Sequence, residues 1–244
     1  MNYYNDNEPF VCRWLENLIM FGHIPNGIVD CRPIQEITPH DLKGFTQCHF
    51  FAGIGGWSFA LELAGWATDR PVWTGSCPCQ PFSKTGKGKG TQDERHLWPE
   101  WYRLISIHKP PVLFGEQVAG ASIWLDMVLT DLETCGYACG TANLPACSVG
   151  ARHERERIWF VADTDEARWQ NSKRVPASQT NRNSRTPSGL VRRQSVRHID
   201  GSFEPDQNWI VDGLPGVGDA VSAYGNAIVP QVAAEFIRAY METL

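Results

Sequence analysis

The sequence predicts an α/β fold in which a mostly parallel sheet carries helices on both faces. Three observations lead there. Short apolar runs alternate with stretches of helical period along the chain. The run from Gln47 to Ala52 ends in Gly53-Ile54-Gly55-Gly56 and passes directly into a helical pattern, the strand, glycine turn and helix that open a nucleotide-binding unit. Val112-Leu113-Phe114 and Ile158 to Ala162 read as further buried strands separated by a helix.

Taken in order, Trp14, Leu15, Leu18 and Ile19 have helical spacing, and Pro25-Asn26-Gly27 is a turn signal. Trp57 to Ala64 is a helix that Gly65 stops. Val72 to Thr74 is a short strand. Trp98 to His108 is a helix ended by Lys109-Pro110-Pro111, and Ala121 to Thr134 is a helix with Gly136 as its C-cap. Val229 to Tyr240 is the final helix. Residues 164–207 lose periodicity and are rich in Ser, Asn, Arg, Pro and Gln, as in a loosely folded insert. The expected divisions are an N-terminal extension over 1–45, a catalytic core over 46–163, a basic insert over 164–208, and a C-terminal block over 209–244 that returns to the core.

A chain of 244 residues supports one good core and a small second lobe. No apolar run approaches the roughly 20 residues of a membrane span. The N-terminus lacks the basic and apolar regions of a secretory signal, so a cytoplasmic protein is expected. Eight scattered cysteines then read as free thiols. Cys77-x-Cys79 and Cys135-x₃-Cys139 lack zinc-site spacing, so no metal is expected. The formal charge of −5 hides a split, because residues 164–200 hold eight Arg/Lys against three acids. A basic segment on an acidic body suits phosphate contacts.

The stretch Gly75-Ser76-Cys77-Pro78-Cys79-Gln80-Pro81-Phe82-Ser83 carries the most chemistry. Cys79 sits in a stiff proline-flanked turn directly after a strand, where a thiol can serve as nucleophile. Cys77 suits a buried structural role better. Glu116 follows a strand, where burial would raise its pKa, although a helix N-cap carboxylate explains an acid there equally well. Arg155 and Arg157 alternate at a strand start and so point to one side. A solvated charge run is the competing reading. Lys84, Lys87 and Lys89 lie in a basic loop.

Pro78-Cys79-Gln80-Pro81-Phe82-Ser83 resembles the catalytic motif of the cytosine-C5 DNA methyltransferases. Five further blocks follow that family's order: Phe51 to Gly56, Asp93 to Trp98, Phe114 to Val118, His153 to Val161, and Tyr224 to Pro230. The resemblance spans residues 46–163 and 209–240. It implies a Rossmann-like S-adenosylmethionine-dependent methyltransferase sheet with a reduced target-recognition insert. The implied reaction is methyl transfer to C5 of a cytosine flipped out of double-stranded DNA. Cys79 would attack C6, Glu116 would donate to N3, and Arg155 and Arg157 would hold the base and its phosphate. Phe51, Gly53, Ile54, Gly55, Trp98 and Asn226 would shape the cofactor site. Gln80, Ser83, Lys84, Lys87 and Lys89 would meet DNA. A small monomeric enzyme, phage-encoded or orphan, or one paired with a restriction partner, fits this picture. Alternatives are an RNA cytosine-C5 methyltransferase and a catalytically impaired DNA-binding remnant.

Three residues depart from the family's motifs, and two larger departures follow, in the strands and in the insert. His49 replaces a common acid, Gln117 replaces Asn, and His153 replaces Gln. Only ten residues separate Gly65 from Gly75, where the family has two more strands carrying an acid for the ribose and an Asp for the adenine. Either Asp69 substitutes, or residues 27–36 supply Asp30 from upstream in a rearranged strand order. The short insert implies low sequence specificity.

Overall fold

The computed structural model describes residues 1–78, 96–164 and 225–244. One seven-stranded sheet organises them. Its strands are β1 (Asn2–Asn5), β2 (Gly27–Asp30), β3 (Gln47–Phe50), β4 (Val72–Gly75), β5 (Val112–Val118), β6 (Ala138–Leu144) and β7 (Arg157–Asp163). They lie in the order β2-β1-β3-β4-β5-β7-β6, and β7 runs antiparallel to both neighbours. Five helices accompany them: α1 (Pro9–Met20), α2 (Gly56–Ala64), α3 (Trp98–His108), α4 (Ser122–Thr134) and α5 (Pro230–Met241). The helices stand close to where their periodicity and caps place them. Glu8 caps α1 ahead of Pro9, and Gly65, in the left-handed region at φ 78°, ends α2.

Alternate strand residues feed two cores, one on each face. Trp73, Leu113, Phe160 and Ala162 pack under α3 and α4, while Val72, Phe114, Trp159 and Val161 pack under α2 and α5. The pairing of Gly75 with Gly115 is forced by bulky neighbours. A Cβ on Gly75 would meet the Trp101 ring at 2.7 Å, and one on Gly115 would meet Phe160 at 2.1 Å.

The first 45 residues are not an extension. They supply β1, α1 and β2, which pair in parallel beside β3. The two strands absent between Gly65 and Gly75 therefore stand in the sheet but come earlier in the chain. The side chains that β1 turns toward α2 are polar and satisfied. Asn2 Nδ2 donates to Gln47 Oε1 at 3.1 Å, and the Tyr4 hydroxyl meets Ser58 Oγ at 3.2 Å. The Tyr4 ring stacks on His49 at 5.0 Å, whose Nδ1 lies 2.8 Å from Thr74 Oγ1.

This order has a topological consequence. The connections β3–α2–β4 and β4–α3–β5 step the same way across the sheet, yet α2 and α3 lie on opposite faces. They are therefore of opposite hand. The α1 connection steps the other way on α2's face, and the return from β2 to β3 crosses α3's face through Ile34, Ile37 and Leu42. Both share the hand of α3. The α2 crossover is the odd one in a fold class where about 98% of such connections are right-handed.

Cys12 and Cys31 are joined by a disulfide that ties α1 to the end of β2, a correction to the expectation of free thiols. The two residues are far apart in sequence but adjacent once β2 lies beside β1. Among the described residues no helix is long and apolar enough to cross a membrane, and no three His, Cys, Asp or Glu side chains gather to hold a metal ion.

Candidate active site

Six chain segments meet at the C-terminal ends of β1, β3, β4 and β5 and enclose a cavity of about 410 Å³. Ligands of open α/β sheets bind at this edge. Asp6 and Glu8 come from the end of β1, Phe51 to Ile54 from the turn after β3, and Ser76 to Pro78 from the segment after β4. Glu116 and Gln117 come from β5, Arg155 and Arg157 from the start of β7, and Gly225 to Ile228 from the chain before α5.

The turn after β3 is set by backbone conformation. Phe51, Gly53 and Gly55 all have positive φ, at 50°, 52° and 83°. The Gly53 N–H donates to Asp6 Oδ2 at 2.9 Å, so the end of β1 braces the glycine turn directly. Asp6 Oδ1 accepts the Glu8 N–H at 3.1 Å. Burial raises the Asp6 pKa, and these two backbone donors oppose the rise.

Glu116 is only 8% exposed and lies inside β5 rather than after it. Val118 pairs with Arg157, so Glu116, two residues back on the same face, is Arg157's diagonal neighbour. Arg157 Nε meets Glu116 Oε1 at 2.9 Å. Burial raises the Glu116 pKa; Arg157, Arg155 and the Ser76 hydroxyl pull it back only in part. The net direction favours a carboxyl that can hold a proton.

Arg155 also reaches the chain before α5. It has φ 32°, and its Nη2 donates to the carbonyls of Gly225 and Ala227 at 3.0 and 2.8 Å. It therefore fastens the segment before α5 to the cavity. Gln117 Nε2 donates to the Cys77 carbonyl at 3.3 Å, holding the segment that leads from β4 to Pro78. Burial lifts the Cys77 thiol far above its ordinary range, in keeping with a structural role.

Of the expected cofactor residues, Phe51, Gly53, Ile54 and Asn226 line the cavity. Gly55 does not. It faces a neighbouring apolar groove, with Leu18, Ile24 and Leu15 within 3.6 Å of where its Cβ would stand. Trp98 is also elsewhere: it is buried among Trp101, Tyr102 and Trp124, and its Nε1 donates to Asp131 Oδ2 at 2.7 Å. Cys79, Gln80, Ser83, Lys84, Lys87, Lys89 and the insert over 164–208, apart from Thr164, lie outside the described residues.

The rearranged order anticipated from residues 27–36 is present, but a different acid faces the cavity. Asp30 is held by Arg32 through both carboxylate oxygens and by the Tyr3 hydroxyl at 2.8 Å, away from the cavity. Asp69 is exposed and precedes β4, at the opposite end of the sheet. Asp6 and Glu8 were hidden because Asn2-Tyr3-Tyr4-Asn5 lacks the apolar run that marks a strand. The one available signal was an acid pair directly before Pro9 at a helix start.

A sequence profile described as C-5 cytosine-specific DNA methylase matches residues 68–214. Type II methyltransferase M.HgiBI of Herpetosiphon aurantiacus is 26% identical over 163 residues, 49% of this chain and 37% of that protein. Type II methyltransferase M.HhaI of Haemophilus parahaemolyticus is 26% identical over 177 residues, 56% of this chain and 54% of that protein. The chain thus spans about half or less of the length of these relatives. A crystal structure of a Spodoptera frugiperda DNMT2 mutant overlaps 67% of this chain and 42% of its own, at 17% identity and a TM-score of 0.44. The profile match begins just ahead of β4 and covers more than half of the sequence, so the chain belongs to the C-5 cytosine-specific DNA methylase family.

Proposed function

We propose that this chain methylates C5 of cytosine in DNA through a covalent adduct between Cys79 and C6. The observation that carries the reading is the single cavity in which Glu116 and Arg157, the glycine turn, Asn226 and the strand end leading to Cys79 converge. Its size lies in the range of about 300–1,000 Å³ usual for small-molecule sites.

S-adenosylmethionine fits the residues present and, when bound, supplies the electrophilic methyl. The turn at Phe51 to Ile54 gives close backbone approach, and Asp6 and Glu8 offer carboxylates to ribose hydroxyls. These two acids take the place that the family gives to a strand-end acid. Asn226, held in place through Arg155, closes the far wall.

The protein groups divide the chemistry on cytosine. Cys79, as thiolate, adds to C6 and makes the ring enamine-like, so that C5 becomes nucleophilic. Glu116 donates its proton to N3 and draws electron density from the ring as the bond forms. Arg157 keeps that carboxyl in place. After transfer, loss of the C5 proton to water, return of the N3 proton to Glu116 and expulsion of the thiolate restore the aromatic ring and the protonated carboxyl. Lys84, Lys87 and Lys89, together with Gln80 and Ser83, meet the DNA, and the enzyme works in the cytoplasm as a monomer.

Nucleoside mass spectrometry of DNA and RNA from methylation-free cells expressing the chain, beside a Cys79→Ser control, tests this. The expected result is 5-methylcytosine in DNA with intact Cys79 alone. Its appearance only in RNA, or its persistence in Cys79→Ser, refutes the reading.

A further inference from the structure

The side of Glu116 facing α2 has a second fixing point. Trp57 on α2 is 2% exposed, and its ring packs edge-on against Trp159 at 5.6 Å and stacks on Phe114 at 6.3 Å. Both partners belong to the sheet face that carries Glu116: Phe114 precedes it by two residues, and Trp159 pairs with it across the ladder. The indole is therefore placed by the strands beneath the carboxyl.

Trp57 Nε1 donates to Ser76 Oγ at 3.0 Å. An indole N–H is only a donor, so Ser76 must accept and its own hydroxyl proton is left for another acceptor. Gly75 pairs with Gly115 in parallel, so Ser76 and Glu116, the next residue on each chain, stand side by side, and both line the cavity.

We propose that Ser76, oriented by Trp57, is a positioning residue that fixes the rotation of the Glu116 carboxyl, with Arg157 holding its Oε1. The purpose rests on the methyltransferase reading. A carboxyl held by one arginine alone can swing about its χ angles, whereas a donor to cytosine N3 must point along one direction. The other charged or titratable groups around Glu116 are Arg155 and Arg157 from the β7 side, Cys77 beside Ser76, and Asp6 and Glu8 across the cavity.

The test uses the full chain with Ser76→Ala, Ser76→Thr, Trp57→Phe and the double variant Trp57→Phe/Ser76→Ala. Ser76→Ala is expected to lower kcat about tenfold while the KM for S-adenosylmethionine stays within about twofold. Ser76→Thr, which keeps the hydroxyl, regains most of the rate. The double variant is no slower than Ser76→Ala, because Trp57 acts through Ser76. Carboxyl ¹³C NMR, with Glu116 assigned through Glu116→Gln, gives a readout independent of turnover. The Glu116 titration moves to higher pH in Ser76→Ala, since a donor to the charged form is lost. An unmoved titration, or additive losses in the double variant, overturns the proposal. A wild-type chain without methyltransferase activity sinks the reading of function, while the NMR titration still judges the bracket.

Discussion

Asp6 offers a separation of binding from stability. Its carboxyl is drawn out of water at the cavity wall, and burial raises its pKa despite two backbone donors. A carboxylate whose folded pKa exceeds its unfolded value costs stability as pH rises past the unfolded value, and the full penalty is present once the group is charged in the fold as well. Asp6→Asn removes this penalty but keeps only one amide oxygen for the two N–H groups of Gly53 and Glu8. Losing one such bond costs about 1 kcal/mol. The two effects oppose each other, so the midpoint of thermal unfolding should move by no more than about 2–4 °C.

Binding should respond far more. A ribose hydroxyl that donates to a carboxylate gains about 1.5–3 kcal/mol over the alternative, so the Kd for S-adenosylmethionine should rise about 10- to 100-fold in Asp6→Asn. Asp30→Ala is the matched control. Its carboxylate is engaged by Arg32 and Tyr3, and its loss should leave the Kd within about twofold of wild type. Isothermal calorimetry and thermal unfolding on the same preparations read both quantities. Wild-type affinity in Asp6→Asn, or equal weakening in Asp30→Ala, refutes the assignment of the β1 acid to the cofactor.

Other perturbations reach different parts of the fold. Gly115→Ala drives a methyl to 2.1 Å from Phe160, and overpacking of this kind should cost about 1–3 kcal/mol or more in urea unfolding, with the neighbouring cavity distorted. Gln117→Leu frees the Cys77 carbonyl, and kcat should fall about five- to tenfold with little change in cofactor affinity. His49 is fully buried and its pKa is lowered to about 3 by burial. The unfolded chain takes up its proton below about pH 6.5 while the fold does not, so the His49 contribution to stability falls by about 2 kcal/mol between pH 6.5 and 5. Unfolding of His49→Gln over that range should lack this component, and identical pH slopes would contradict it.

The legible part of the fold is the part in which hydrophobic burial alone decides. Leu113 and Phe114 sit in a strand covered on both faces, and Trp57 to Ala64 carry an apolar stripe to a core, so period and run length point to the observed elements. The illegible part replaces apolar burial with hydrogen bonds. β1 places Asn2 and Tyr4 on a polar network beneath α2, and its only other core residue is Tyr3. β6 is an edge strand of mostly small and polar residues, none fully buried, and it has no run of bulky apolar residues to mark it. The apolar run that marks the strand ends at Phe114, which puts Glu116 after it, whereas Gly115 is there for Phe160 and the ladder continues to Val118.

The same contrast explains the candidate site. Residues that act through backbone shape or through contact with the sheet, such as Gly53 and Arg157, could be found from local motifs. Trp98 belongs to a familiar block, but its indole answers to Asp131 and three aromatic neighbours. A block match fixes where the chain passes, while the rotamer is decided by what that chain packs against. Asp6 makes the converse case, because its neighbour Gly53 is 47 positions away and no local pattern links them.

Chain order and spatial order are separable here because the cavity needs strand ends and not a sequence of connections. The ends of β1, β3, β4 and β5 stand side by side whichever strand is made first. What the order does alter is the α2 crossover. Because β3 now leads directly to β4, its helix must reach the next strand on the face already shared with α1 and α5, and only the uncommon hand permits that. The fold accepts this connection because α2 is held from three directions. Its N-terminus follows the positive-φ turn braced by Asp6, its Trp57 and Leu61 are buried with α5, and its Ser58 meets the Tyr4 hydroxyl. The contacts that settle the crossover also frame the cavity, so the rearranged strands and the proposed cofactor turn stand or fall together.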